Sequence, residues 1–383
     1  MSVAVPRALR GVDPWLVGAA AALVAVGLAN LHTLGALQPA RYGGLALRQT
    51  CWLAVGLAAA AASFVAARRD RHRALAWVHV AAFGAVLLTL AGFAEHVGGV
   101  RRWLRLGPLV VQPSEFLKLG AVVAAARWFA DAPIGTRTLG RALLGVLLCV
   151  AFPAALVAAQ PDLGTGVLLL LVGAATLAFA PDARRSLPLL AFTVALPAAL
   201  LGRSLLHEYQ LARLRAFLDP EAHPGISWQL TQAMDALAAG RALGTPAWLS
   251  RHLLPGAHTD FALVAWGSVH GLAGTLAVLA LQSVLAQRAF DTAARAEDRY
   301  DVALAAGAGA LLSLQVLVNA AMAFGMIPVV GVPLPLVSYG GSNLTATLVA
   351  LGAVLGVRAR VANAPAPANA PGPERLYRGT PEA

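Results

Sequence analysis

The chain has 383 residues, of which 58% are apolar and only 12% charged, and its mean hydropathy is +0.70. Soluble domains run at about 45–50% apolar and about 25% charged, so an ordinary water-facing surface is excluded and the membrane is the solvent. The net charge of +11 would suggest nucleic acid in a soluble protein, but basic residues between membrane spans serve to orient the chain, and no nucleic-acid partner is expected.

A helical crossing takes about 20 apolar residues, so the roughly 220 available allow about ten. Long runs such as Ala19 to Leu28 and Val167 to Ala180 are unlike the short alternating segments of a membrane barrel. The expected fold is all-α, a polytopic membrane protein of about ten helices. In chain order they are predicted at 15–37, 50–67, 74–94, 114–130, 139–158, 163–180, 186–203, 262–287, 302–327 and 339–358. Arg7 and Arg10 precede the first run, which is longer than the core of a cleavable signal and reads as a span.

An even number of spans places both termini on one side. Eighteen arginines fall on that side and ten on the other, over much longer loops, so the termini are expected to be cytoplasmic. The domain reading is a cytoplasmic N-terminus (1–14), a membrane domain (15–361) and a disordered cytoplasmic tail rich in Pro and Ala (362–383). Two outer segments exceed simple connectors, Glu95 to Pro113 and the long loop 204–260. In the latter, Trp228, Leu230, Met234 and Leu237 predict a short amphipathic helix at the interface. Cys51 and Cys149 lie in apolar runs, are expected in the core, and define no disulfide framework.

Ionisable groups at membrane depth are costly and mark functional positions. Glu115 and Lys118 share one helix face at i, i+3, and Lys118 is the single lysine in a chain that otherwise uses Arg. The pair either orients a helix or binds substrate phosphate. Asp162, after Gln160-Pro161, suits a helix cap, with a second role open. His258-Thr259-Asp260-Phe261 ends the long outer loop, where Asp260 is either a cap or a general base beside His258. The run Pro333 to Ser342 contains Ser338, Tyr339, Gly340 and Gly341, which suit either a re-entrant loop or a site for sugar or phosphate. The absence of a Gly-rich nucleotide loop argues against ATP-driven transport.

Six ordered segments, Gly99 to Trp103, Gln112 to Glu115 with Lys118, Gln160 to Thr165, Arg215 to Pro220, His258 to Phe261 and Pro333 to Ser342, together resemble the shape, elongation, division and sporulation (SEDS) family of cell-wall polymerases. The stretch Gly325 to Pro333 is more similar to its RodA branch than to its FtsW branch. The resemblance implies an inner-membrane enzyme that polymerises lipid II into glycan strands for cell elongation and rod shape, alongside a class B penicillin-binding protein, with its site on the outer face. By the same resemblance Asp260 is the essential acid, and Arg102, Glu115 and Lys118 are functional. Asp162, His258, Ser338, Tyr339, Gly340 and Gly341 are candidate substrate contacts.

An α-linked lipid donor giving a β-linked product needs one inverting displacement and one base, assigned to Asp260. Arg102, Lys118 and a divalent cation, Mg or Mn, are candidates to stabilise the departing pyrophosphate. Two departures stand out: the family's Gly-Glu-Glu-x-Gly reads Gly267-Ser268-Val269-His270-Gly271, and a Ser-Gly-Gly run is replaced within Ala238 to Gly244. The rival readings are a lipid II transporter and a catalytically weak scaffold for the cross-linking enzyme.

Overall fold

A computed structural model describes residues 11–69, 72–97, 100–107, 109–130, 139–179, 188–192, 195 and 208–363. The helices within them are α1 (Pro14–Leu37), α2 (Leu45–Arg68, after a helical turn at Pro39–Tyr42), α3 (His72–Leu88), α4 (Pro113–Ala130), α5 (Leu139–Ala159) and α6 (Leu163–Phe179). They continue with α7 (Glu208–Leu218), α8 (Pro224–Gly240), α9 (Ala247–Arg251), α10 (Ala262–Arg295), α11 (Arg299–Ala323) and α12 (Gly341–Ala362).

The helices start where the local chemistry dictates. Asp13 accepts from Trp15 N at 3.0 Å and Leu16 N at 3.2 Å, ahead of Pro14 at the first helical position of α1. Asp298 does the same for Tyr300 N and Asp301 N at the head of α11. Within α5 the turn Leu147–Ala151 widens to π geometry just before Pro153, whose ring nitrogen has no proton to donate.

Among the described residues seven helical segments are long and apolar enough to cross a membrane, and α6, at 17 residues, is a shorter apolar one. The charged α4 carries Glu115, Lys118 and Arg127. The span expected at 186–203 falls mostly outside the described residues, with 188–192 helical, and the tail beyond Asn363 falls outside them entirely. The amphipathic pattern around Trp228 is the helix α8. Cys149 is buried, whereas Cys51 is exposed on α2, because an apolar run in a membrane helix has a lipid-facing side as well as an inward one.

A feature absent from the sequence reading is a small antiparallel meander, β1 (Glu95–Val97), β2 (Val100–Leu106) and β3 (Leu109–Val111), with Glu95 opposite Trp103 and Leu104 opposite Val111. It follows the left-handed Gly92 that closes the last turn after α3. Its central strand carries Arg102.

Small residues set a close helix contact. A Cβ on Gly352 would lie 2.3 Å from Ala60 O, and one on Gly356 would lie 2.5 Å from Phe64 O, so α12 and α2 meet backbone to backbone. The loop 324–340 runs between two apolar cores. Val332 packs with Leu117, Val122 and Leu169 on one side, and Leu334, Leu336 and Val337 pack with Leu23 and Val264 on the other.

Candidate functional site

Four helices, α4, α6, α10 and α12, begin at the same end of the bundle, and their first residues supply most of the candidate site. Pro113 opens α4 and places Glu115 in its first turn. There Glu115 Oε2 lies 2.9 Å from Lys118 Nζ and accepts from Asn343 Nδ2 of α12 at 2.7 Å. Lys118 is 2% exposed, so its charge sits inside the protein beside its carboxylate partner.

Asp162 caps α6 by accepting from Thr165 N at 3.3 Å. Its other oxygen lies 3.5 Å from Arg102 Nη1 and 3.5 Å from Gln112 Nε2. Burial pushes the Asp162 carboxyl above the usual range, against the pull of Arg102. Arg102 also donates to Gln160 O at 3.0 Å and to Pro161 O, which fixes the meander on the turn ahead of α6. Gln112 N donates to Ser342 Oγ at 2.8 Å and joins this group to the head of α12.

Asp260 ends the turn that leads into α10. It is partly buried, and burial raises its pKa from 3.8 to about 6. Arg213 pulls that value down, Asp162 pushes it up and Arg102 pulls it down, so all three charges act on this carboxylate. Gly331, at φ +73°, leaves space beside it, since a Cβ there would stand 3.6 Å from Asp260 Oδ2. Asn319, fully buried on α11, donates to Asp260 O at 2.9 Å and to Val332 O at 2.8 Å.

The loop from Val332 to Ser338 is irregular backbone between spans, and its carbonyls need donors. Buried amides supply them: Gln315 to Pro333 O at 3.3 Å, Gln282 to Pro335 O at 2.7 Å and Gln49 to Ser338 O at 3.2 Å. Leu336 is held at φ +64°, a conformation that leucine rarely adopts and that these bonds impose. Ser338 Oγ donates to Thr259 O at 2.6 Å, and Tyr339 N donates to His258 O at 2.7 Å. The His258 ring lies between Tyr42 and Tyr339, with centroids at 5.4 and 5.8 Å, and burial pushes its pKa down. Gly340 N donates to Gln49 Oε1, and Gly341 lies against Trp52 so closely that a Cβ would stand 2.1 Å from its ring.

The candidates named from sequence therefore share one end of the bundle. Arg102, Asp162 and Asp260 form its charged part. Glu115 with Lys118 lies in the interior behind it, and His258, Ser338, Tyr339, Gly340 and Gly341 brace the loop. Sequence reasoning missed Arg213, Gln112 and the amides Gln49, Gln282, Gln315, Asn319 and Asn343. The amides left one signal, as polar residues in apolar runs. Among the described residues no group of three His, Cys, Asp or Glu side chains is placed to hold a divalent cation, and the cationic side chains at hand are Arg102, Arg213 and the buried Lys118.

The two sequence departures meet in space. At Gly271 (φ +68°, ψ −166°) the helix α10 is broken, and the segment after α8 pairs with the break. Thr245 N donates to Ser268 O at 2.9 Å, Leu272 N to Arg241 O at 2.9 Å and Ala273 N to Ala242 O at 3.1 Å.

Comparison with known proteins identifies the family. The chain is 36% identical over 280 residues to the peptidoglycan glycosyltransferase MrdB of Escherichia coli K12, covering 71% of this chain and 74% of that one. It is 31% identical to a probable peptidoglycan glycosyltransferase FtsW of Aromatoleum aromaticum, covering 91% and 88%. Among solved structures, a chain of a peptidoglycan synthase complex described as coordinating polymerization and crosslinking superposes with a TM-score of 0.73 at 31% identity, covering 90% and 97%. The rod shape determining protein RodA of Thermus thermophilus gives 0.64 at 29%, covering 90% and 96%. A family model for FtsW, RodA and SpoVE, described as cell cycle proteins, matches residues 14–363, and the chain belongs to that family.

Proposed function

We propose that this protein is a peptidoglycan glycosyltransferase that polymerises lipid II into β-1,4 glycan strands by one inverting displacement. The observation that carries the reading is the carboxylate of Asp260, with its pKa raised to about 6, placed under the influence of Arg213 and Arg102. A base of that strength is mostly ionised near neutral pH yet holds a proton better than a free carboxylate. Asp260 takes the proton of the acceptor 4-hydroxyl as that oxygen attacks the anomeric carbon. The bond to the pyrophosphate breaks on the opposite face of the sugar, and the charge that develops falls to Arg102 and Arg213.

The four helix N-termini at this end add positive partial charge suited to a pyrophosphate. Glu115 and Lys118 act as positioning residues, because their ion pair holds Asn343 at the head of α12. In this reading the site faces the outside of the inner membrane and both termini are cytoplasmic. The product strand passes to a class B penicillin-binding protein, in the elongation role of the RodA branch.

The test is polymerisation of labelled lipid II by the purified protein, alone and with that partner, beside Asp260→Asn. Polymer from the wild type, reduced at least about a hundredfold in the folded variant, is the expected result. Equal polymer from both would remove Asp260 from the chemistry.

A further inference from the structure

A second charged cluster lies at the other end of the bundle, where α1 begins and α10 and α12 end. Asp13, Arg288, Arg295 and Arg358 lie in the wall of a cleft of about 430 Å³. Arg288 donates through Nε to Asp13 Oδ2 at 2.7 Å, and its Nη1 lies 3.4 Å from Asp291 Oδ2. Arg358 Nη1 donates to Asp291 Oδ2 at 2.5 Å, and its Nη2 lies 3.5 Å from Asp13 Oδ2. Arg295 meets Asp291 Oδ1 through Nε at 3.0 Å.

Among the described residues three guanidinium groups thus share two carboxylates, which leaves one positive charge in excess. Arg295 is 60% exposed and engages Asp291 through a single nitrogen, so among the described residues both of its Nη groups remain as donors. Asp13 cannot absorb them, since its Oδ1 already accepts from Trp15 N and Leu16 N. The network joins α1, α10 and α12 at a cleft whose walls include Val12, Pro14, Val361 and Ala362. Trp15, 71% exposed one residue beyond the lining, has the character of a membrane-interface anchor.

An occupant that fits carries one negative charge, oxygens that accept from planar guanidinium groups, and an apolar body alongside. We propose that the cleft binds the phosphodiester head group of an anionic membrane lipid. A zwitterionic lipid would bring its own cation against the excess arginine charge and bind more weakly.

The experiment uses the full chain purified in detergent, with lipid binding read by native mass spectrometry during titration with phosphatidylglycerol or phosphatidylcholine, and with inorganic phosphate as competitor. Arg295→Gln, Arg358→Gln and the exposed Arg251→Gln at the opposite end are compared with the wild type. Preference for phosphatidylglycerol is expected, weakened about fivefold by each of the first two substitutions and unchanged by the third. Arg295→Gln removes only a surface pair, so it tests the site even if Arg358→Gln fails to fold. Equal retention of both lipids, an equal loss with Arg251→Gln, or unchanged binding by Arg295→Gln would overturn the proposal. Displacement by inorganic phosphate at concentrations comparable to those of the lipid would overturn the lipid assignment.

Discussion

In the proposed role Asp260 has to be ionised to take a proton and sheltered to hold it, and these demands oppose each other. The compromise is a pKa near 6, and it has two measurable consequences. The acid limb of kcat/KM for polymerisation should fall with a midpoint near pH 6, where an ordinary exposed aspartate would place it near 4. The folded chain also binds this proton more tightly than the unfolded chain does, so stability is lost as pH rises from about 4 through about 6. Asp260→Asn removes that loss, and at pH 7.5 this variant should melt no lower than the wild type. Asn319→Ala should behave oppositely. It strips donors from Asp260 O and Val332 O, and about 2 kcal/mol of stability should go, with turnover falling more than KM rises. Asp260 stands out in the sequence as an acid at the head of a long apolar run, open between a cap and a base, and the family resemblance supplies the catalytic reading. Asn319 does not stand out, because its acceptors lie 59 and 13 residues away and nothing in its own helix names them.

Most helices were legible as elements because lipid demands long apolar runs, and α1, α4 and α6 begin within one residue of their expected starts. The β meander was not. Strands of three residues carry too little alternation to register, and Val100 to Leu106 places Arg on both faces. The break in α10 was equally hidden, since Gly271 looks like any other glycine of an apolar helix until Ala242 O is found beside it. A Cβ at Gly271 would stand 2.4 Å from that oxygen, on backbone that glycine alone adopts readily. Gly271→Ala should therefore cost about 2 kcal/mol or more and free residues 241–245, which limited proteolysis would detect as a new cleavage between α8 and α9. The residues that replace the family's acidic pair at 268 and 269 lie in this same interlock, which the backbone bonds hold together without those carboxylates.

Across the whole molecule, α10 and α12 link the two charged ends, since each starts at the candidate site and finishes at the arginine cleft. Asp13 fastens α1 to both. Asp13→Ala removes a helix cap and leaves Arg288 and Arg358 short of a partner, and should cost about 3 kcal/mol or more. Asp13→Asn keeps an acceptor for Trp15 N and Leu16 N, and its melting temperature should fall between those of Asp13→Ala and the wild type. This fastening was invisible in the sequence, where Asp13 reads only as the residue before a proline.

The loop beside Asp260 is held by amides, whereas the opposite cleft is held by ions. Amides neither titrate between pH 4 and 9 nor respond much to screening. Between pH 4 and 9 neither acid nor salt therefore loosens the amide bracing of the loop, so a pH profile of polymerisation should read the carboxyls of the site, Asp260 and Asp162, rather than the loop coming apart. Ionic strength acts most on the far end, where the exposed Arg295 pairs with Asp291, and less on the more buried pairs Arg102–Asp162 and Glu115–Lys118. Salt and pH thus become two handles on one molecule, salt weighing mainly on the exposed arginine cleft and pH mainly on the carboxyls of the site.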